Sequence, residues 1–229
     1  MKSDVRASLL ALVCFGLAAC GGGTTGATAS SCAKTALLTT LGATYSLTSQ
    51  TTGIATLLRV DSAVVGLTSF NGSSAYEVVQ ISNGGAIGGS TLYENINDSG
   101  WLVDFGYSTD VARVTSTVTF DPAFVNSQFG LVPGESTTIS YNRITTSDSS
   151  TTTVSGSETF TFVGRESVSV PAGTFSTCKF QWIDSAQPNQ IKTQWLIDGY
   201  GLAAQEAYAI GGVVSTTKAT AIVVNGKSL

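Results

Sequence analysis

The chain has 229 residues, of which 42% are apolar and only 11% are charged, against about 25% charged residues in an average soluble domain. Its net charge is −4 and its Lys and Arg residues form no cluster, which argues against nucleic-acid binding because phosphate contacts need grouped basic side chains. Histidine is absent, so His-dependent triads and His metal sites are excluded. No phosphate-loop or dinucleotide fingerprint is present, and we expect no cofactor and no metal.

The N-terminus has the layout of an export signal. Lys2 and Arg6 precede an apolar run, residues 7–17, which as a helix spans roughly 16 Å and is too short to cross a bilayer. The run ends in Leu17-Ala18-Ala19-Cys20, which resembles the lipobox of bacterial lipoproteins. The resemblance implies cleavage before Cys20 and attachment of lipid to its sulfur. The alternative is an ordinary secretory signal followed by an incidental cysteine.

The residues after Cys20 predict where the protein goes. Gly21 stands where lipoproteins kept in the inner membrane often carry Asp, so the resemblance implies an outer-membrane anchor in a Gram-negative bacterium, facing the periplasm. Residues 21–31 contain no apolar side chain larger than Ala and predict a flexible tether. We therefore divide the chain into a signal peptide at 1–19, a tether at 20–31 and a single domain at 32–229.

Two cysteines belong to the mature domain. Cys14 leaves with the signal and Cys20 is taken by lipid, so Cys32 and Cys178 remain as an even pair in an oxidising compartment. A disulfide between them is expected, and two unpaired thiols are the alternative. Two cysteines without histidine or a CxxC spacing make a poor zinc site.

From about residue 42 onward, short apolar/polar alternations are separated by Gly, Asn, Asp and Ser. This pattern predicts an all-β, antiparallel domain with little helix. Asn71-Gly72 is typical of a two-residue type I′ turn. Centring a hairpin there places Leu67 opposite Tyr76 and Val65 opposite Val78.

A second hairpin supplies the candidate ligand site. If Pro188-Asn189 occupies the centre of a turn, Trp182 lies opposite Trp195 and Phe180 lies opposite Ile197 on the same face. Two interpretations of this face remain open. It is either ordinary core packing or the aromatic wall of a cavity for a hydrophobic ligand.

The segment Val168-Ser169-Val170-Pro171-Ala172-Gly173-Thr174-Phe175 resembles a hairpin of uncharacterised Gram-negative envelope proteins. In those proteins a strand with Trp and Gly-x-Gly follows, as Trp195 to Leu202 does here, although Asp198 replaces their Pro. The resemblance implies a strongly curved antiparallel sheet, a half-barrel or open barrel like that of Lol-type lipoprotein carriers. It implies no activity.

No catalytic constellation is evident in the sequence. A serine nucleophile would need a base and a nucleophile elbow, and the Gly-rich stretch 84–89 lacks the Lys of a phosphate loop. A carboxylate-dependent hydrolase stays open only because the sequence cannot choose among its acids. We expect a non-enzymatic module that binds a hydrophobic molecule or lipid. The alternative is an interaction domain that docks onto another envelope component.

Overall fold

The computed structural model describes residues 32–33, 39–54, 56–83, 88–111, 114–147 and 150–229. These residues form a single antiparallel sheet with almost no helix, which confirms the predicted fold class. A 3₁₀ helix spans Ser127–Gly130. The strands are β1 Thr44–Thr51, β2 Leu57–Phe70, β3 Ser73–Ser82, β4 Gly88–Ile96, β5 Leu102–Val111, β6 Val114–Val125, β7 Ser136–Ser147, β8 Ser150–Val170, β9 Gly173–Asp184, β10 Gln190–Ile197, β11 Ala203–Ile210, β12 Val213–Val224 and β13 Lys227–Ser228.

The sheet closes on itself. Every strand pairs with the next one along the chain, and β1 also pairs with β12, where Tyr45 lies opposite Val224 and Thr51 lies opposite Thr217. The result is a 12-stranded barrel with β13 added beside β12. The expectation of a half-barrel or open barrel is therefore wrong, because the sheet closes completely. The closing pair joins the two ends of the domain, and local turn signals carry no information about it.

The first predicted hairpin is largely confirmed. Asn71 and Gly72 have φ values of 49° and 79°, as a type I′ turn requires, and Leu67 lies opposite Tyr76. A β-bulge then places Val64, not Val65, opposite Val78. The bulge leaves Val64 in the core and Val65 exposed, since one extra residue reverses the side-chain alternation.

Hydroxyl groups replace charge on part of the outer face of the barrel. Neighbouring strands β7 and β8 carry facing pairs of Ser and Thr, such as Thr138 and Thr159, whose oxygens lie 2.9 Å apart, and Ser136 and Thr161, whose oxygens lie 2.8 Å apart. Cross-strand hydroxyl pairs of this kind stabilise a sheet by a few tenths of a kcal/mol each. They contribute to the unusual composition of the chain, which is rich in Ser and Thr and poor in charge.

One end of the barrel is filled by apolar side chains and is called the closed end below. Its centre is the stacked pair Phe162 and Phe180, whose ring centroids are 4.8 Å apart, and Phe129 of the 3₁₀ helix packs edge-on against Phe180. Leu196 and the Cys32–Cys178 disulfide complete the same buried cluster. Ala33 also lies at this end, within 3.1 Å of a Cβ placed on Gly201.

Candidate functional site

The four predicted cavity residues do not share a face, and this part of the sequence interpretation is wrong. The observed register of β9 and β10 places Trp182 opposite Lys192 and Trp195 opposite Lys179. Phe180 and Trp182 point into the barrel, whereas Trp195 and Ile197 lie on the other face of the hairpin. The register differs by an odd number of positions, and an odd shift reverses the face of a whole strand.

The cause is a second turn in the connection between β9 and β10. Pro188-Asn189 does occupy the centre of a turn, which the Gln190 N–H closes by donating to the Gln187 carbonyl. A preceding turn is closed by the Gln187 N–H on the Asp184 carbonyl, and the Asp184 carboxylate also accepts from the Ala186 N–H at 2.8 Å. The two turns in tandem move the register by three positions.

Trp195 and Ile197 therefore have structural surroundings of their own. Trp195 donates from its indole N–H to Glu166, and Lys179 Nζ lies 5.1 Å from its ring. Ile197 is 5% exposed and packs in a cluster with Leu202 and Ile222. The tip of the β8–β9 hairpin covers this cluster, since the N–H of Ala172 donates to the carbonyl of Ala219 on β12.

The expected disulfide is present in the structure. Cys32 and Cys178 are bonded and completely buried. Asp198 lies beside the bridge, with Oδ1 4.0 Å from the Cys178 sulfur, but the two bonded sulfurs are not thiolate ligands for a metal. The proposed lipid-attachment residue, Cys20, lies outside the described residues, as do the signal and the tether.

The opposite end of the barrel, called the open end, contains two adjoining cavities. The deeper one has a volume of about 280 Å³ and a mostly apolar wall that includes Leu47, Leu58 and Val60 of β1 and β2. The second has a volume of about 200 Å³ and is lined by Trp182, Asp184, Gln187, Gln190, Lys192 and Tyr208. Tyr208 lines both cavities. A larger depression of about 460 Å³ lies on the outer surface around Pro171 and Lys218 and is open to solvent.

A charged cluster separates the two cavities. Lys192 Nζ lies 3.2 Å from Glu206 Oε1, and Gln194 donates to the same carboxylate oxygen at 2.6 Å. The ammonium group also lies 4.5 Å from the ring centroid of Trp182 and 5.1 Å from that of Tyr208. The Lys192 side chain is only 14% exposed. This arrangement fixes a partly desolvated cation between two aromatic faces, where it can contact a polar or anionic group.

Carboxylates line the wall next to this cluster. Glu158 lies opposite Asp184, and the Tyr141 hydroxyl donates to Glu158 Oε1 at 3.2 Å. Partial burial raises the pKa of Glu158 to about 7, with a further increase from the negative charge of Asp184. Burial and the Glu158 charge together raise the pKa of Tyr141 to about 12. Glu158 therefore changes its charge near neutral pH.

A second group of acids is buried deeper, beside the 3₁₀ helix. Glu94 on β4 lies directly opposite Asp104 on β5. Burial raises the pKa of both carboxyl groups, and the negative charge of Asp104 raises that of Glu94 further. Asn126 donates to Asp104 Oδ2 at 2.8 Å, and Gln128 donates to Asn126 Oδ1 at 2.8 Å.

Sequence reasoning missed Lys192, Glu206, Glu158, Glu94 and Asp104. The available signal was weak. Glu94 occupies the same face as Leu92 of β4, and Glu158 the same face as Phe160 of β8, so each is an acid at an apolar position of a strand. Because the closure of the barrel was not predicted, these positions could not be placed around one interior.

No protein-family model matches the sequence, and no curated protein sequence is significantly similar to it. Three solved structures are similar in shape. A protein described as exported and as having a YmcC-like fold, from Bacteroides fragilis, has a TM-score of 0.47, is 11% identical and covers 80% of this chain and 96% of its own. A protein described as a lipoprotein, from Parabacteroides distasonis, has a TM-score of 0.34, 13% identity and coverage of 80% and 96%.

The third is the hypothetical lipoprotein YmcC from Escherichia coli, with a TM-score of 0.33, 11% identity and coverage of 78% and 83%. Likenesses of this size do not assign a family or a function to the chain. Within the described residues, no helix combines the length and the apolar composition that a membrane-spanning helix needs.

Proposed function

We propose that the chain is a lipid-anchored protein of the Gram-negative envelope, held in the outer membrane through Cys20 and facing the periplasm. The order of charge, apolar run, small residues and cysteine at residues 2–20 supports the anchor. Acyl chains contribute about 0.8 kcal/mol for each buried CH₂, and two or more chains give stable attachment.

The anchor is tested by labelling cells with a fatty acid analogue. Cys20→Ala should abolish acyl labelling and leave the precursor uncleaved, whereas Cys14→Ala, which changes a cysteine within the signal, should be labelled like the wild type. Normal labelling of Cys20→Ala would show that the anchor is wrong. Density-gradient separation of the two membranes tests the location, since the labelled protein should sediment with the outer membrane.

We further propose that the open end of the barrel binds an amphipathic hydrophobic molecule, such as a lipid or fatty acid. The observation that carries this proposal is the adjoining pair of cavities, the deeper one with an apolar wall and the other with a fixed cation. An apolar tail fits against Leu47, Leu58 and Val60, and a polar headgroup fits against Lys192. Small-molecule sites generally combine a mostly apolar lining with a few placed polar groups in this way.

Binding without catalysis is the better proposal for this site. The chain has no histidine, and its two cysteines in the described residues are joined in the disulfide. Glu158 and Asp184 are adjacent carboxylates, but no observation identifies a bond for them to cleave. A binding assay is therefore the direct test.

Leu57 and Leu58 provide a matched pair of variants for that assay. They are neighbours on β2 with similar exposure, 47% and 43%, but only Leu58 lines the apolar cavity. A fluorescent fatty acid should bind the wild type saturably. Leu58→Arg should weaken its binding at least tenfold, because a charged side chain would occupy the apolar wall. Leu57→Arg should bind like the wild type.

Two results would contradict the ligand proposal. Non-saturable binding to the wild type would show that the cavity does not select the probe, and an equal loss in both Leu variants would show that binding occurs elsewhere.

A second candidate function is docking onto another envelope protein, and a specific observation favours it. Around the open end, Ile54, Ile210, Val213 and Val214 are between 53% and 73% exposed, an apolar rim of the kind that marks interaction sites. Crosslinking in intact cells should give an adduct that Val213→Glu abolishes if this rim docks. Retained fatty acid binding by the same variant would separate the two functions.

A further inference from the structure

The buried pair Glu94 and Asp104 has no basic partner in the part of the chain that the structure describes. Glu94 is 7% exposed, and none of the ion pairs formed by the described lysines and arginines includes either acid. Two carboxylates directly opposite each other in a sheet repel when both are ionised, and burial makes the repulsion stronger. A compensating positive charge would remove this cost.

Two neutral side chains, Asn126 and Gln128, are connected to the pair by hydrogen bonds and carry further oxygen atoms. Asn126 is held with its NH₂ group toward Asp104, so its oxygen faces the NH₂ group of Gln128. Gln128 is 6% exposed, and its Oε1 has no hydrogen-bond partner. Glu94 Oε2 and Asp104 Oδ1 are also buried without a partner. A buried amide oxygen without a donor is an observation independent of the two acids, and such a group normally has a partner.

We propose that Glu94, Asp104 and Gln128 form a binding site for one hard divalent cation, with calcium as the best match. Calcium takes six to eight oxygen ligands from Asp and Glu carboxylates, amide carbonyls and water. Two carboxylates balance its charge, and the Gln128 oxygen gains the partner it lacks. Magnesium fits less well because it demands a near-ideal octahedron and gives up its waters reluctantly.

A shared proton is the simplest competing explanation for the pair. A proton on Glu94 forms one hydrogen bond and so pairs at most two of the three unpartnered oxygens, whereas a cation bound by Glu94, Asp104 and Gln128 would leave none of the three without a partner. The two explanations also predict different responses to calcium, and this makes them separable in solution.

The test uses the full chain, purified in detergent, depleted of metal with EDTA and titrated with calcium chloride in a calorimeter. We expect saturable binding of one equivalent and a rise in Tm of several degrees, since a ligand that binds only the folded state stabilises it. Glu94→Gln should weaken calcium binding at least tenfold. Glu77→Gln, which removes an acid from the outer face of the neighbouring strand β3, should bind calcium like the wild type.

Glu94→Gln keeps the size of the side chain and removes one of two repelling charges, so it should fold. If calcium gives neither heat nor a Tm shift in the wild type, the proposal is wrong. The same holds if Glu94→Gln and the wild type bind calcium equally. Asp104→Asn is the second variant, and it should lose calcium binding while retaining fatty acid binding at the open end.

Discussion

The two ends of the barrel differ in what fills them. At the closed end, the stacked rings of Phe162 and Phe180 and the disulfide are at most 2% exposed. At the open end, Lys192, Glu206 and Trp182 surround adjoining cavities, and Leu58 is 43% exposed. Apolar packing and a covalent link therefore stabilise the first end, whereas partly hydrated polar groups surround the cavities of the second.

The closed end is also the end at which the tether of residues 20–31 would enter, because Cys32 is part of its core. A tether of twelve residues spans at most about 43 Å when fully extended. An anchor at Cys20 would then attach through the closed end and keep Cys32 within about 43 Å of the membrane.

The largest expected effect is loss of the disulfide from the closed end. Cys32→Ala/Cys178→Ala opens a connection between residues 146 apart in the sequence. In the chain-entropy model, the free energy of unfolding should fall by about 5 kcal/mol, an upper value because denatured-state structure reduces it. Urea unfolding of the oxidised wild type and the variant measures the difference. A loss below 1 kcal/mol would show that the bridge does not stabilise this end.

The next prediction compares an aromatic residue from each end. Phe180→Ala should lower the free energy of unfolding by about 3–5 kcal/mol, because it leaves a cavity in a packed cluster. Trp182→Ala should cost less, about 2 kcal/mol, since its side chain is half-buried beside the open cavity. Fatty acid binding should show the reverse order, with the larger loss for Trp182→Ala. Equal losses of stability would contradict the contrast between the ends.

The sequence contained enough information for the strands and several turns, but not for the register around the whole barrel. Asn71-Gly72 specified its turn because only a few residues adopt two successive positive φ values. The predicted register of β9 and β10 was wrong because the chain makes an additional turn, in which the Asp184 carboxylate accepts from the Ala186 N–H. The turn signal at Pro188-Asn189 does not reveal this additional turn. The predicted pairing of Val65 with Val78 was also wrong, because a β-bulge at Val65 places Val64 opposite Val78, and the turn signal at Asn71-Gly72 does not reveal that bulge.

The candidate site was harder to predict than the fold. Trp182 and Phe180 were found because aromatic residues mark interiors, but their polar neighbours depend on the register of β9, β10 and β11, which was not predicted correctly. Lys192 on β10 and Glu206 on β11 form an ion pair at 3.2 Å, and Glu94 and Asp104 face each other across β4 and β5. Charged residues are ordinarily expected outside a sheet, so their sequence positions gave no indication of burial.

A smaller effect is expected from the pH dependence of the open end. The pKa of Glu158 is about 7 in the folded protein, above its ordinary value of 4.5, so the folded state holds this proton more tightly. Its contribution to stability is fully present below pH 4.5 and is lost as the pH rises through 7. The Tm of the wild type relative to Glu158→Gln should therefore fall between pH 5 and pH 8.

Glu166→Gln is the control for this pH prediction. Hydrogen bonding to Trp195 and the nearby Lys179 hold the pKa of Glu166 below its usual range, so this group does not titrate between pH 5 and pH 8. Its Tm difference from the wild type should stay constant over that interval. A constant difference for Glu158→Gln as well would contradict the assignment of a raised pKa to Glu158.

The smallest expected effect tests the face assignment of the two tryptophans. Trp195→Phe removes an indole N–H that donates to Glu166 on the outer face, where Lys179 also lies over the ring. Solvent-exposed interactions of this kind contribute about 0.5–1 kcal/mol, so urea unfolding should show a loss no larger than that. Fatty acid affinity should be unchanged within about twofold. Trp182→Phe should weaken binding by more, because it changes the ring that faces Lys192 in the cavity. If Trp195→Phe weakened binding as much as Trp182→Phe, the two rings would have to line one site, and the observed register of β9 and β10 would be wrong.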